Sequence, residues 1–207
     1  MKDWKAPASR ESIERTLQAL QANGLQAVLA ANAAEARQKV LAMLPAGSEV
    51  FTMTSVTLEA TGLSKEINEP GRFASIRNKL NTMDPKTQER EMRKLCAAPD
   101  FAIGSVHAVT EDGQLLIASN TGSQLPAYAY SAGKVIWVVG AQKIVRDRDE
   151  GLRRLREHVL GLETVRARKA YGLPESWNSF YSKVLTFNRE VNPGRAHLVL
   201  VNEALGF

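Results

Sequence analysis

The chain has 207 residues, of which 44% are hydrophobic and 24% are charged. These fractions are typical of a folded globular protein, exclude a disordered or collagen-like chain, and at this length favour one domain. The net charge is +5, but basic and acidic residues alternate through the most basic stretch, residues 146–169. Because that pattern is typical of a solvated helix, we expect no nucleic-acid partner and favour an anionic small molecule.

Helix and strand patterns alternate through the first half of the chain. Apolar residues at helical spacing predict a helix that ends at Asn23–Gly24, and a strand over residues 25–30 follows it. Asn32, with Glu35 three residues later, predicts the start of a second helix. A strand over residues 49–53 then leads into a short helix.

The second half continues the alternation. Asp84–Pro85 predicts the start of a helix that reaches about Cys96, and Asp147 with Glu150 predicts the cap of a long helix. We expect a further helix over residues 123–131. The predicted strands are residues 101–103, 106–110, 114–118, 134–139, 184–188 and 197–202.

The density of this alternation predicts the fold class. We expect an α/β protein, a single domain with a mostly parallel central sheet flanked by helices. Residues 134–139 are almost unbroken apolar sequence, which indicates a strand buried on both faces.

The sequence contains no motif typical of a metal site, a cofactor site or a membrane-spanning segment. Cys96 is the only cysteine, which excludes an intrachain disulfide, a CxxC zinc site and a cysteine-ligated iron–sulfur cluster. The three histidines lack ligand spacing, and no glycine-rich dinucleotide motif follows a strand. The first residues lack the apolar core of a signal peptide, and no apolar run approaches the roughly 20 residues of a spanning helix. We therefore expect a cytoplasmic protein with no metal, no cofactor and no membrane span.

Ligands bind open α/β sheets beyond the carboxyl ends of the strands, so the turn after residues 49–53 is the first candidate site. The hydroxyls of Thr54, Ser55 and Thr57 stand there at the start of a helix, where backbone N–H groups favour a phosphate or carboxylate. N-capping by Ser55 or Thr54 is the alternative interpretation. Glu59 lies one turn further on and is a candidate catalytic carboxylate, or else a solvated one.

The segment 104–113 is the second candidate. Glu111 could serve as a nucleophile or as an acid/base, although the spacing favours a simple hairpin turn that ends at Gly113. His107 lies in an apolar run and could act as a base, but a half-buried histidine with a structural hydrogen bond is favoured.

Three further positions complete the predicted anion site. Gly122 and Ser123 lie in a polar loop before a helix, where glycine lets backbone approach a ligand closely. Lys143 follows the most apolar strand and could neutralise an anion. Arg189 precedes a Pro-Gly turn and could clamp a carboxylate, whereas Arg195 after that turn is favoured as a surface salt bridge.

Several blocks of the chain, in order, resemble the LUD-domain proteins, the lactate-utilisation family. They are residues 57–63 (TLEATGL), 106–113 (VHAVTEDG), 122–128 (GSQLPAY), 135–145 (VIWVVGAQKIV), 188–195 (NREVNPGR) and 203–207 (EALGF). The resemblance covers about residue 54 to residue 207. It implies a LUD domain over residues 49–207, with an N-terminal helical segment, residues 1–48, packed on it as part of one compact unit.

The resemblance also implies a fold similar to that of ribose-5-phosphate isomerase, glucosamine-6-phosphate deaminase and the CoA transferases. Within that fold class Thr54–Ser55 resembles the phosphate loop of the isomerases. The turn at residues 110–113 resembles the one that carries the nucleophilic glutamate of CoA transferases, here Glu111. Larger LUD proteins carry iron–sulfur cysteine motifs, which this chain lacks.

Three functions follow from these features. The leading hypothesis is an accessory component in the oxidation of L-lactate to pyruvate. It would bind a small anionic metabolite (a carboxylate, a phosphate or an acyl-CoA) and act beside iron–sulfur subunits. The second is an acyl- or CoA-transferase that uses a glutamate nucleophile, and the third is an interaction subunit without pocket chemistry. Fold alone does not decide among them.

Overall fold

The computed structural model describes residues 2–207. Its centre is a sheet of six parallel strands in the order β1-β10-β7-β4-β2-β3. These strands are β1 Gln26–Ala30, β2 Glu49–Thr52, β3 Ala74–Ser75, β4 Phe101–Gly104, β7 Lys134–Gly140 and β10 Ala196–Val201.

Two adjacent inner strands of this sheet, β7 and β10, are buried on both faces. They pair in register with Val138 opposite Val199 and Val139 opposite Leu200. A strand covered on both faces needs apolar residues at every position, which explains the unbroken apolar run.

A smaller four-stranded sheet packs beside the first, in the order β8-β5-β6-β9. β5 pairs antiparallel with β6 across a turn in which Gly113 takes φ +84°, a conformation that favours glycine. The strands are β5 Ala108–Thr110, β6 Leu115–Ser119, β8 Ile144–Val145 and β9 Lys183–Phe187.

Eight α-helices surround the sheets in the described part of the chain. They are α1 Arg10–Ala22, α2 Ala33–Ala42, α3 Val56–Ala60, α4 Leu63–Asn68, α5 Ile76–Asn81, α6 Glu89–Ala97, α7 Arg148–Arg154 and α8 Leu160–Tyr171. A π-helical turn, Leu155–Val159, joins α7 to α8 without a break, and a second one spans Ala127–Ser131. The 3-10 turn Ala141–Lys143 follows β7.

Helices cover both faces of the central sheet. On one face Ile13 and Leu20 of α1 join a core that also includes the smaller sheet. On the other face Val40 of α2, Leu58 of α3 and Leu63 of α4 pack on the strands. The predicted single α/β domain with a mostly parallel central sheet flanked by helices is therefore confirmed.

The segment 1–48 is not purely helical. It supplies β1, which pairs along its whole length with β10 at the edge of the central sheet. The hydrogen-bonded sheet thus runs across residue 48, so that residue does not mark a boundary between a helical segment and the sheet.

Local capping signals placed most helix starts correctly. The side chain of Asn32 accepts from the N–H of Glu35, and that of Asp147 accepts from the N–H of Glu150. The exception is Asp84, whose carboxylate accepts from the N–H of Lys86 in a turn, so that α6 begins only at Glu89. The helix predicted over residues 123–131 begins only at Leu125 and consists mostly of the π turn, since Ser123 and Gln124 form a turn before it.

Candidate functional site

Three neighbouring strands end in one recess. β2 leads into Met53–Thr57, β4 into Ser105–His107, and β7 into the turn that carries Lys143. Because these strands are parallel neighbours in the sheet, their carboxyl ends meet at one edge, where such sheets bind ligands. The recess has a volume of about 70 Å³.

Lys143 occupies the base of the recess and is only 1% exposed. Its Nζ donates to Thr57 Oγ1 at 3.0 Å, Ser105 Oγ at 3.1 Å and the Val106 carbonyl at 3.2 Å. No carboxylate of residues 2–207 pairs with this amine. Desolvation lowers the pKa of Lys143 well below 10.5, and the nearby Arg154 cation lowers it further.

Arg154 is fully buried behind the recess. Its Nη1 donates to the His107 carbonyl at 2.6 Å, but Nε and Nη2 have no hydrogen-bond partner within the described chain. Desolvation lowers the pKa of Arg154 to about 10, so it stays charged at neutral pH. Two basic side chains are therefore buried together here without a carboxylate partner in residues 2–207.

His107 lines the recess as a neutral donor. Desolvation, then the Lys143 and Arg154 cations, lower its pKa to about 3. Nδ1 accepts from the Ala118 N–H at 3.1 Å, which places the proton of the neutral ring on Nε2. His107 thus adds an N–H group to a site already rich in donors.

The recess opens into a much larger cleft of about 1090 Å³. The two cavities share the side chains of Met53, Thr54, His107, Gln124, Glu163 and Arg166. On this shared wall Arg166 donates through Nε and Nη2 to the Glu163 carboxylate, both at 2.7 Å. This hydrogen-bonded pair raises the pKa of Arg166. The arginine therefore stays charged beside the recess.

The segment 205–207 closes the far side of the recess. Gln142 Nε2 donates to the carbonyls of Leu205 and Gly206 at 2.9 and 3.1 Å, and Thr57 Oγ1 donates to the Leu205 carbonyl. Phe207 itself lines the recess. Thr57 therefore connects this segment to Lys143.

Six of the nine sequence-predicted site residues line these cavities. Thr57 and Lys143 are in direct contact in the recess, and Thr54 and Ser55 line its wall. Ser55 also caps α3 by accepting from the Leu58 N–H. Gly122 and Ser123 line the cleft, not the recess.

The structure does not bring the other three predicted residues to the site. Glu111 accepts from Ser12 Oγ at 2.6 Å and pairs with Arg15 at 2.9 Å, which ties the hairpin turn to α1. Glu59 is exposed on α3. Arg189 is exposed in the loop before β10, at the opposite end of that strand from the recess. None of the three lines either cavity, so neither predicted catalytic carboxylate is placed to act there.

Sequence reasoning missed Ser105, Arg154, Glu163 and Arg166. Ser105 follows a buried strand directly and could have been found by the rule that identified Thr54. The other three lie in a helix whose alternating charges suggest only a solvated surface, and nothing in that pattern marks the buried positions. Arg195, expected on the surface, is buried and paired with Glu190 at 2.7 Å.

The described part of the chain has neither a group of metal ligands nor a helix that could span a membrane. No three His, Cys, Asp or Glu side chains there come together in a way that could hold a metal ion. Every helix between residues 2 and 207 is too short or too polar to cross a bilayer.

Comparison with known proteins shows a match to one family model and similarity to several solved structures, three of which follow. A DUF162 family protein from Deinococcus radiodurans is 14% identical over 95% of this chain and 100% of its own, with a TM-score of 0.57. The β subunit of eIF2B from Chaetomium thermophilum is 18% identical over 56% of this chain and 43% of its own, with a TM-score of 0.38. The δ subunit from that organism is 14% identical over 68% of this chain and 53% of its own, with a TM-score of 0.35. No curated protein matches the chain.

The family model for the LUD domain matches residues 13–201. That match includes β1 and all the strands whose ends form the recess. The chain belongs to the LUD-domain family.

Proposed function

We propose that this protein binds a small anionic metabolite, a carboxylate or a phosphate, in the recess at the ends of β2, β4 and β7. The observation that carries the proposal is Lys143, an amine 1% exposed that makes three hydrogen bonds and no ion pair in residues 2–207. Charging this buried amine without a negative partner is costly. A bound anion would supply the missing negative charge.

The neighbouring groups suit an anion because nearly all of them donate. Hydroxyls of Thr54, Ser55 and Ser105 line the recess, and the His107 ring carries its proton on Nε2. Glu163 is the only carboxylate side chain lining the recess among residues 2–207, and Arg166 already neutralises it. An anion therefore meets donors without meeting an unpaired negative charge.

The family gives this binding its proposed context. We infer an accessory role in the oxidation of L-lactate to pyruvate in the cytoplasm, beside iron–sulfur subunits that carry the redox chemistry. Lactate and pyruvate are both small monocarboxylates, so they are the first ligands to test, with inorganic phosphate as the alternative anion.

The test is calorimetric titration of the full chain with lactate, pyruvate and phosphate. We expect at least one to bind, and Lys143→Met to weaken that binding at least about tenfold, as expected for loss of a charged hydrogen-bond partner. Lys134→Met is the matched control because Lys134 is exposed at the amino end of the same strand. Absence of binding, or equal losses in both variants, would contradict the proposal.

Binding should also take up a proton. The pKa of Lys143 is lowered in the empty site, and a bound anion favours the charged amine and raises that pKa again. Affinity should therefore increase as the pH falls toward the lowered pKa of the free amine, because the complex holds a proton that the empty site has lost. Calorimetry in buffers of different ionisation enthalpy measures the uptake, which should disappear in Lys143→Met.

A further inference from the structure

The cleft beside the recess is far larger than a three-carbon acid requires. Its volume is about 1090 Å³, against about 70 Å³ for the recess. Pockets that hold drug-sized molecules have volumes of about 300–1,000 Å³. The two cavities together therefore have room for a ligand whose anionic group fills the recess and whose remaining part fills the cleft.

Much of the cleft wall is apolar. Leu155 and Val159 of the π turn face it from one element, and Leu80 and Met92 from two others. Phe180 lines it while remaining 63% exposed. A large aromatic side chain left open at the rim of a cleft is typical of a ligand-binding surface.

One of the cations of the cleft has no carboxylate partner. Its cations within residues 2–207 are three arginines. Arg166 pairs with Glu163 and Arg93 with Glu89. Arg77 donates to the Thr52 carbonyl at 2.7 Å, and its guanidinium lies 5.1 Å from the Phe51 ring. Within residues 2–207 Arg77 is therefore the cleft cation that has no counter-ion.

The remaining wall is polar but uncharged. It is the loop over residues 119–124, whose hydroxyl and amide groups hydrogen-bond largely to one another, as Ser119 does with Gln124 at 2.9 Å. This loop can contact neutral polar groups of a ligand, but it contains no cation that could pair with a phosphate.

We propose that the ligand is an amphiphilic anion, with one carboxylate or phosphate head in the recess and a largely apolar body in the cleft. This inference rests on the proposed anion site and narrows its ligand class.

The experiment is a titration of the full chain with straight-chain carboxylates of increasing length, from propanoate to decanoate. Affinity should rise about two- to fourfold for each methylene that enters the cleft. Phe180→Ala should reduce this gain. Val165→Ala is the matched control, since Val165 is equally exposed, at 63%, but does not line the cleft.

The outcomes separate this inference from the proposed function. Short carboxylates that bind without any gain from added methylenes would overturn the inference and leave the anion site intact. Long carboxylates that bind equally well to the wild type and to Lys143→Met would overturn both, because the head group would not occupy the recess. A cleft closed by a second copy of the chain, seen as a dimer that Phe180→Ala dissociates, would also overturn the inference.

Discussion

Two buried arginines lie at opposite ends of the central sheet and differ in their partners. Arg195, before β10, donates to three backbone carbonyls and pairs with Glu190, whose own side chain accepts from the Asn192 N–H. Arg154, near the carboxyl ends of the strands, makes one hydrogen bond and has two unpartnered nitrogens. Arg195 is thus a structural connection, whereas Arg154 contributes positive potential to a site that still lacks its negative partner.

Removing one charge from each region tests this difference most directly. Glu190→Gln leaves Arg195 buried without a counter-charge, so we expect the free energy of unfolding to fall by about 3–5 kcal/mol. Arg154→Met removes a charge that has little compensation, and the change should stay within about 1 kcal/mol. Urea denaturation of both variants measures the contrast, and an equal loss in both would show that Arg154 is as fully compensated as Arg195.

A smaller effect should come from the packing around the recess. A Cβ at Gly104 would lie 1.8 Å from the Tyr128 hydroxyl and 3.0 Å from Met53 Cγ, so Gly104→Ala should cost about 1–3 kcal/mol through overpacking. Gly161→Ala has open space in α8, and should instead stabilise the helix by up to about 1 kcal/mol. Thermal melts of the pair compare the two, and equal shifts would mean that Tyr128 moves freely away from Gly104.

The smallest effect is expected at Glu111. Glu111→Gln keeps an oxygen for the Ser12 hydroxyl but removes the ion pair with the half-exposed Arg15, and exposed ion pairs contribute little. We expect a slightly lower melting temperature and unchanged anion affinity. Glu11→Gln, which removes the other carboxylate near Arg15, is the control. If Glu111→Gln lost anion binding and Glu11→Gln kept it, Glu111 would belong to the anion site after all.

The comparison also explains which features the sequence could predict. Caps such as Asn32 and Asp147 depend on residues three positions away, and strands such as β7 on their own apolar composition, so local patterns found them. The rule that ligands bind beyond the carboxyl ends of parallel strands placed Thr54, Thr57 and Lys143 at one edge of the sheet, where the structure also has them.

Local sequence patterns could not show contacts between residues that lie far apart in the chain. Glu111 looks like a free turn carboxylate until Ser12, 99 residues earlier, is packed against it. Arg154 resembles its exposed neighbour Arg153 until the helix is docked. No local pattern distinguishes these cases, because the burial and partners of each side chain are set by tertiary packing.

The π-helical turn at Leu155–Val159 has a consequence for how the cleft could diverge within the family. A π turn holds one residue more than the α-helical turn it replaces, so it accommodates that residue without changing the direction in which the rest of the helix faces. Deleting a single residue there would let residues 148–171 run on as a regular helix that still presents Glu163 and Arg166 to the cleft, but it would change the part of the cleft wall that Leu155 and Val159 form. A one-residue change in length could therefore give a relative the same fold and a different selectivity.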